Sequence, residues 1–250
     1  ILEVAALDSL EGKQPNFEPK RPIRAPHHTS TKASIFGGGT TGAKIGEVAL
    51  AHRGILFFDE LPHFPKSVLE ALREPLQNRR ILISRVHSKV EYKSDFLFAA
   101  AQNPCPCGNL LSRTKECRCT QNEILKYKNR ISEPLLERID IYLQMSEISD
   151  SDIADIDSSS MHKKVIEAFL FQKRRGQRSF NASMSDAEAK KFCILDEEAR
   201  EILKKATDRL ALSRRSIGKI LRLSRTVADL KQIDVIGKEE ILEAIGYRKR

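Results

Sequence analysis

The chain has 250 residues, 40% of them hydrophobic and 31% charged, enough to bury a substantial core in one large or two modest domains. Its 43 Lys and Arg against 34 Asp and Glu leave a formal charge of +9, which suits a polyanionic partner such as nucleic acid or nucleotide. No apolar run approaches membrane-spanning length and nothing at the N-terminus reads as a secretory signal, so the expectation is a soluble cytoplasmic protein whose five cysteines are thiols or metal ligands rather than disulfides.

Ile1 to Leu10 has helical spacing but opens without a starting methionine or a capping residue, so the sequence reads as a fragment entered partway through a helix. Residues 11 to 50 are rich in turn formers, with Arg24-Ala25-Pro26-His27-His28-Thr29 and Gly37-Gly38-Gly39 the most distinctive pieces. His27 and His28, without acids or cysteines beside them in sequence, read as loop or interface residues rather than metal ligands. Gly37 to Lys44 has some likeness to a phosphate loop, G-x-x-x-x-G-K-S/T. Ala43 stands between Gly42 and Lys44, however, and Ile45 stands where Ser or Thr is required, so no Walker A loop is found.

The rest of the chain is organised around Gly54-Ile55-Leu56-Phe57-Phe58-Asp59-Glu60. Four apolar residues are too few for a helix and read as a strand buried on both faces, with two carboxylates at its C-terminal end. Parallel α/β sheets bind ligands at that end, and such acids suit nucleotide hydrolysis: Asp59 for Mg²⁺ and Glu60 for the attacking water. Alone, the pair is equally compatible with a solvated strand end. Pro65 to Asn78 then predicts one short amphipathic helix, and Arg80–Val86 with Lys89–Lys93 predicts two strands about a turn at His87-Ser88. This hairpin carries Arg79, Arg80, Arg85, Lys89 and Lys93, which fits either a phosphate-backbone contact or a sheet edge guarded by charge.

Phe96 to Ala101 predicts a second buried strand ending at Gln102-Asn103-Pro104, where the Asn103 amide could bond the attacking water or the terminal phosphate, or merely open a turn. Cys105-Pro106-Cys107 is separated by nine residues from Cys117-Arg118-Cys119, a four-thiolate pattern that suits structural zinc, with free thiols or a disulfide as alternatives. Arg138, just before the predicted strand Ile141-Tyr142-Leu143, reads as an arginine finger or as an ordinary surface arginine. Residues 147 to 160 are acidic and Ser-rich and read as a linker. Beyond Met161 the pattern is helical: Val165–Arg175, a short helix capped by Ser185, Glu197–Leu210 capped by Asp196, Ile217–Leu230 opened by Ser213 or Ser216, and Lys238–Tyr247 after Gly237. Cys193 reads as packed.

Taken together, Gly46-Glu47 ahead of Ala49–His52, then GILFFDELPHF, the basic hairpin, AAAQNPCPCG, RISEPLLERID and SRRSIGKILRLSRTVADL resemble, in order and over nearly the whole chain, the magnesium-chelatase-like AAA+ ATPases of the ComM/YifB family. The resemblance implies an α/β P-loop NTPase core, truncated at its N-terminus, followed by an all-helical lid, with the core at 1–148, a linker at 149–160 and the lid at 161–250. It implies that Asp59 and Glu60 are the Walker B acids, Asn103 is sensor 1, Arg138 the arginine finger and Arg215 the sensor 2 arginine. It also implies that residues 78–94 form a hairpin touching DNA through Arg80, Arg85, Lys89 and Lys93. ATP and Mg²⁺ are the implied cofactors, while zinc at Cys105, Cys107, Cys117 and Cys119 rests on spacing.

The implied activity is a hexameric DNA motor of the helicase or branch-migration type, linked to natural transformation and recombination and indifferent to DNA sequence, its substrate branched or single-stranded. A chelatase-type subunit for metal insertion and a non-catalytic nucleic-acid-binding module are the alternatives. The family carries an N-terminal domain and a Walker A loop ahead of the region present here. These 250 residues alone are therefore expected to bind ATP poorly and hydrolyse it negligibly.

Overall fold

The computed structural model describes residues 1–38, 44–84, 89–149 and 152–248, and the chain divides into two units, Ile1–Ile139 and Asp140–Arg250. The first unit is mixed α/β. It runs α1 (Leu2–Glu11), β1 (Ile23–Arg24), α2 (Lys32–Phe36), α3 (Glu47–Leu50), β2 (Ile55–Phe58), α4 (Lys66–Ala71), α5 (Arg73–Asn78), β3 (Arg80–Ser84), β4 (Lys89–Lys93), β5 (Leu97–Ala100), α6 (Gln121–Lys128) and α7 (Glu133–Leu136).

Strands β1, β2 and β5 form a parallel sheet in that order, with Ile23 opposite Ile55 and Phe58 opposite Ala100. Gly54 opens β2 because the chains meet there: its added Cβ would lie 1.9 Å from the Pro22 carbonyl oxygen, which accepts the Ile55 N–H at 2.8 Å. Leu56 and Phe58 are fully buried, and the Phe58 ring stacks on Phe64 at 4.1 Å. Ile55 and Phe57, on the opposite face, are only partly covered, so β2 is buried on one face rather than two. The expected second buried strand differs more. β5 has one neighbour among the described strands, and Leu97 is 65% exposed, which makes it an edge strand.

The helix expected over residues 65–78 is two short ones. Pro75 has no N–H to give the Ala71 carbonyl, and its ring crowds that turn, so the chain breaks at Leu72 and restarts with Pro75 in the first turn of α5. The antiparallel hairpin β3–β4 pairs Arg80 with Lys93 and Ser84 with Lys89, and residues 85–88 lie outside the described residues. Its inner face buries Ile81 and Ile83. Gly37, at φ 90°, accommodates Ile83: a Cβ there would sit 2.5 Å from the Ile83 Cδ1. The backbones of Gly38 and Lys44 bond each other, and the intervening residues of the phosphate-loop-like stretch, 39–43, are outside the described residues.

Helix α1 is tied to this hairpin by Glu3. Its carboxylate accepts Lys93 Nζ at 2.7 Å and Arg53 Nε at 3.0 Å and lies 3.3 Å from the buried His52 ring. The Lys93 and Arg53 bonds pull the Glu3 carboxyl from the usual 4.5 down to about 2. Because the folded-state value is depressed, this stabilisation is complete above pH 4.5 and is lost as the pH falls toward 2. The melting temperature of wild type should therefore exceed that of Glu3→Gln by a constant margin from neutral pH down to about pH 5, with the two curves converging near pH 2. A margin that persists unchanged to pH 2, or no margin at neutral pH, would contradict the assignment.

The second unit is helical: α8 (Ser158–Arg174), α9 (Asp186–Phe192), α10 (Glu197–Leu210), α11 (Arg214–Leu230) and α12 (Lys238–Gly246). The side chains of Asp157, Ser185, Asp196 and Ser213 each accept an N–H of the first turn, as N-caps do. Helix α8 thus starts inside the stretch read as linker. Ile141–Leu143 is not a strand. Its Tyr142 N–H donates to the Tyr247 carbonyl at the end of α12, a contact that leaves no ladder to extend. The core gathers Phe192, Cys193, Ala199, Ile220, Ala228, Ile236 and Ile241, so Cys193 is packed as expected. Among the described residues, no helix is long and apolar enough to cross a membrane.

Candidate active site and metal centre

Parallel register brings the ends of β2 and β5 side by side. Ala101 donates to the Phe58 carbonyl and Leu61 donates to the Ala101 carbonyl, each at 2.9 Å, so the chain leaving β2 through Asp59 and Glu60 is stitched to the chain leaving β5 toward Asn103. Asp59 and Glu60 are both exposed at this C-terminal edge. Glu60 adopts φ 50°, a left-handed conformation uncommon for a residue with a side chain, and its N–H donates to Asp59 Oδ1 at 2.9 Å. The turn is closed by a 3₁₀ segment, Leu61–His63, with the His63 N–H on the Glu60 carbonyl. Two carboxylates in solvent offer hard oxygen donors of the kind Mg²⁺ takes.

His28 lies within the same site. Its Nδ1 is 3.4 Å from Glu60 Oε2, its ring stands edge-on to His63 at 5.7 Å, and the His27 ring lies 4.1 Å from it. The histidine pair lies in a loop, as expected, and an acid distant in sequence stands beside it, because sequence distance hides what β1 does. β1 runs parallel to β2, so residues shortly after Arg24 emerge at the same edge as Glu60. His63 in turn stands edge-on to Tyr127 of α6 at 6.1 Å. Tyr127 is buried, which pushes its hydroxyl up, while a backbone hydrogen bond from Asn103 acts in the opposite direction. None of His28, His63 and Tyr127 is a candidate site residue from sequence. Reading Pro22–Arg24 as a short strand would have placed His28 correctly.

Cys105, Cys107, Cys117 and Cys119 converge, with all four Sγ atoms within 4.8 Å of one another. The Cys105–Cys107, Cys105–Cys117 and Cys107–Cys117 separations are 3.5, 3.7 and 3.7 Å. Four sulfurs at about 2.3 Å from one tetrahedral zinc would lie about 3.8 Å apart, so the donor set and its spacing fit zinc. All five cysteines are free thiols, which leaves no disulfide in this cluster. Backbone N–H groups of Asn109 and Arg118 bring the Cys107 thiol down to about 6, while desolvation and the neighbouring thiols push Cys117 and Cys119 up, so the thiols titrate as one set and not singly.

Arg138 lies away from these groups in bonding terms. Its guanidinium donates to the Arg73 carbonyl at 3.0 Å, to Gln77 Oε1 at 2.6 Å and to the Pro134 carbonyl. Arg215 is exposed in the first turn of α11, in the second unit. On the hairpin, Arg80, Lys89 and Lys93 share the exposed face with Leu82 and Glu91, while Arg85 falls outside the described residues. Arg80 pairs with Glu91 at 3.5 Å and Lys93 with Glu3, which leaves the positive face partly neutralised.

Residues 1–153 match the family described as magnesium chelatase, subunit ChlI, and residues 155–248 match its C-terminal domain family. The chain is 35% identical over 254 residues to the competence protein ComM of Haemophilus influenzae, covering 99% of this chain and 49% of that protein. It is 37% identical over 255 residues to YifB of Salmonella typhimurium and 36% over 254 to YifB of Escherichia coli, with the same coverage of 99% and 49%. The chain thus spans about half the length of the curated relatives it matches. With a parallel sheet whose central strand ends in Asp59-Glu60 and a family match over both units, the chain belongs to the magnesium-chelatase-like family that includes ComM and YifB.

Proposed function

We propose that this chain forms part of an AAA+ ATPase that moves along or remodels DNA, with Asp59, Glu60 and Asn103 at the phosphate-facing end of the sheet. The observation that carries the reading is the register of β2 against β5, which delivers two exposed carboxylates and the Asn103 segment to one edge. Asp59 would hold Mg²⁺, which when bound supplies charge neutralisation of the phosphates. Glu60 orients a water molecule and accepts its proton as the oxygen attacks phosphorus, and Asn103 bonds the water or the terminal phosphate. Arg138, offered to the adjacent subunit of a hexameric ring, stabilises negative charge as the bond to the leaving group breaks, and Arg215 closes the helical unit, 161–250, as a lid on the core, 1–148. Asp59, Glu60 and Asn103 are of the kind these roles need, and Arg138 would leave the Arg73 and Pro134 carbonyls and Gln77 to reach a neighbour. Hydrolysis is assigned to the intact cytoplasmic protein, since no G-x-x-x-x-G-K-S/T run occurs in these 250 residues.

The DNA partner rests on the hairpin's Arg80, Lys89 and Lys93, on Arg85 in the sequence, on the +9 charge and on the competence name of one relative. Contacts of this kind follow the backbone of branched or single-stranded DNA without reading sequence. The family's description favours a second reading, a chelatase-type subunit that drives metal insertion. ATP turnover of the intact protein, measured with forked DNA and with a porphyrin-binding chelatase partner, separates the two. Stimulation by DNA that falls at least about tenfold in Arg80→Ala/Lys89→Ala supports the motor, because each lost phosphate contact also lowers the salt dependence of binding. Stimulation only by the chelatase partner supports the second reading. A hairpin variant that binds DNA as wild type does would remove the hairpin from the interface.

A further inference from the structure

Cysteines 105 and 119 bracket the metal cluster, and each is covalently close to a structural anchor. Cys105 comes two residues after Asn103, at the exit of β5. Cys119 immediately precedes Thr120, whose side chain and Glu123 cap the start of α6 reciprocally. Closing four thiolates on one ion therefore fixes the exit of the strand and the entry of the helix against each other. Without it, residues 105–119 form a loop whose only regular segment is the single 3₁₀ turn Asn109–Leu111. Ligand convergence is then opposed by loop entropy.

Helix α6 returns to the phosphate-facing edge through Tyr127. The Tyr127 ring meets His63, which follows Glu60 by three residues. His63 meets His28, and His28 meets the Glu60 carboxylate at 3.4 Å. One continuous path thus joins the four thiols to Glu60, and Asn103 lies two residues before Cys105. Every member belongs to the first unit.

We propose that the metal-tied loop is a positioning element for the phosphate-facing edge: zinc on Cys105, Cys107, Cys117 and Cys119 holds the Asn103 segment through Cys105 and sets α6 through Cys119, and Tyr127 on α6 sets Glu60 through His63 and His28. The catalytic part of this inference rests on the nucleotide reading above. Tyr127, His63 and His28 are positioning residues, since they act on Glu60 rather than on substrate. The metal has no open position in a four-thiolate shell and takes no part in the chemistry.

The test uses the intact protein with zinc bound, with amide hydrogen exchange, metal content and ATP turnover read on the same samples. Removing zinc with a chelator, or by Cys107→Ser, should raise exchange in 101–104 and in 57–64 by about tenfold or more, in addition to loosening 105–120. Turnover should fall about tenfold in kcat with KM within about twofold of wild type, and added zinc should restore the chelated wild type but not Cys107→Ser. Tyr127→Leu, which removes the ring that meets His63, should keep one zinc per chain, raise exchange in 57–64, and lower kcat about two- to tenfold, while Tyr127→Phe, which keeps the ring, should leave 57–64 as in wild type. If zinc removal loosens only 105–120, and Tyr127→Leu leaves 57–64 and kcat as in wild type, the positioning role is overturned. If removal unfolds the whole first unit, the zinc-loaded Tyr127 variants decide alone. If the intact protein turns over no ATP, the nucleotide reading fails, while the exchange pattern still accepts or rejects the coupling.

Discussion

Asp229→Ala should destabilise the helical unit by about 3–5 kcal/mol, the cost typical of leaving a buried charge without its partner. Arg225 and Asp229 are both fully buried on α11, one helical turn apart, with Arg225 Nε donating to Asp229 Oδ1 at 2.9 Å. Asp229 also accepts Arg175 Nη1 at 2.7 Å and Nη2 at 3.1 Å, and Asn181 Nδ2 at 2.7 Å. The remaining Arg225 donors reach the carbonyls of Ile233 and Asp234, so one guanidinium clamps the connection between α11 and α12. Removing the carboxylate takes the acceptor from four donors on three side chains, leaving Arg225 Nε and Arg175 Nη1 without it while Arg175 Nη2 keeps Gln177 and Asn181 keeps Thr226, and burial already works against the charged form of Arg225. Denaturant unfolding followed by the helical signal measures the loss. Arg225→Met/Asp229→Leu should cost less than Asp229→Ala alone, since it removes both buried charges instead of stranding one. A loss under about 1 kcal/mol for Asp229→Ala would mean that water reaches Arg225 and that the network is not the closed core described.

Glu60→Gln in the intact protein should lower ATP turnover by about 10²- to 10⁴-fold with little change in KM, the range expected when a general base is removed. Glutamine preserves the length and shape of the side chain at a position already held at φ 50°, so the loss would report proton acceptance rather than folding. Equal melting temperatures for the two proteins and retained nucleotide binding are the controls. Asp59→Asn should differ in kind, raising the Mg²⁺ concentration needed for half-maximal turnover, because an amide is a poorer ligand than a carboxylate for a hard cation. A fall of less than about fivefold for Glu60→Gln would take the catalytic role away from this residue and leave the edge acids as a solvated strand end.

The site is legible in proportion to how local its signals are. Four apolar residues closed by Gly54 and followed by Asp59-Glu60 identify a strand end without any knowledge of neighbours, and the C-x-C pairs declare a four-thiolate set by composition alone. The caps Ser185 and Asp196 likewise announce their helices, because an N-cap bonds an N–H only two or three residues away. His28 escapes sequence reasoning for the opposite reason. Its meaning depends on the two-residue strand β1, too short for any periodicity to register, whose parallel pairing carries it across more than thirty positions to Glu60. The charges on α11 show the same limit: Arg225 reads as one more basic residue on a helix, yet it is wholly buried.

Sequence by itself therefore determined the family, the apolar strand with its acid pair, the basic hairpin and the thiol set, since each is written in contiguous residues whose chemistry does not wait on packing. Tertiary structure alone decided which face of β2 is covered, that Pro75 divides a helix, and that Lys93 answers to Glu3. It alone brought His28, His63 and Tyr127 into one row between the acids and the cysteines. Those outcomes depend on contacts between residues far apart in the chain. Their free energies appear only when strand register and helix packing bring the groups within a few ångströms of each other, and no local pattern encodes that distance.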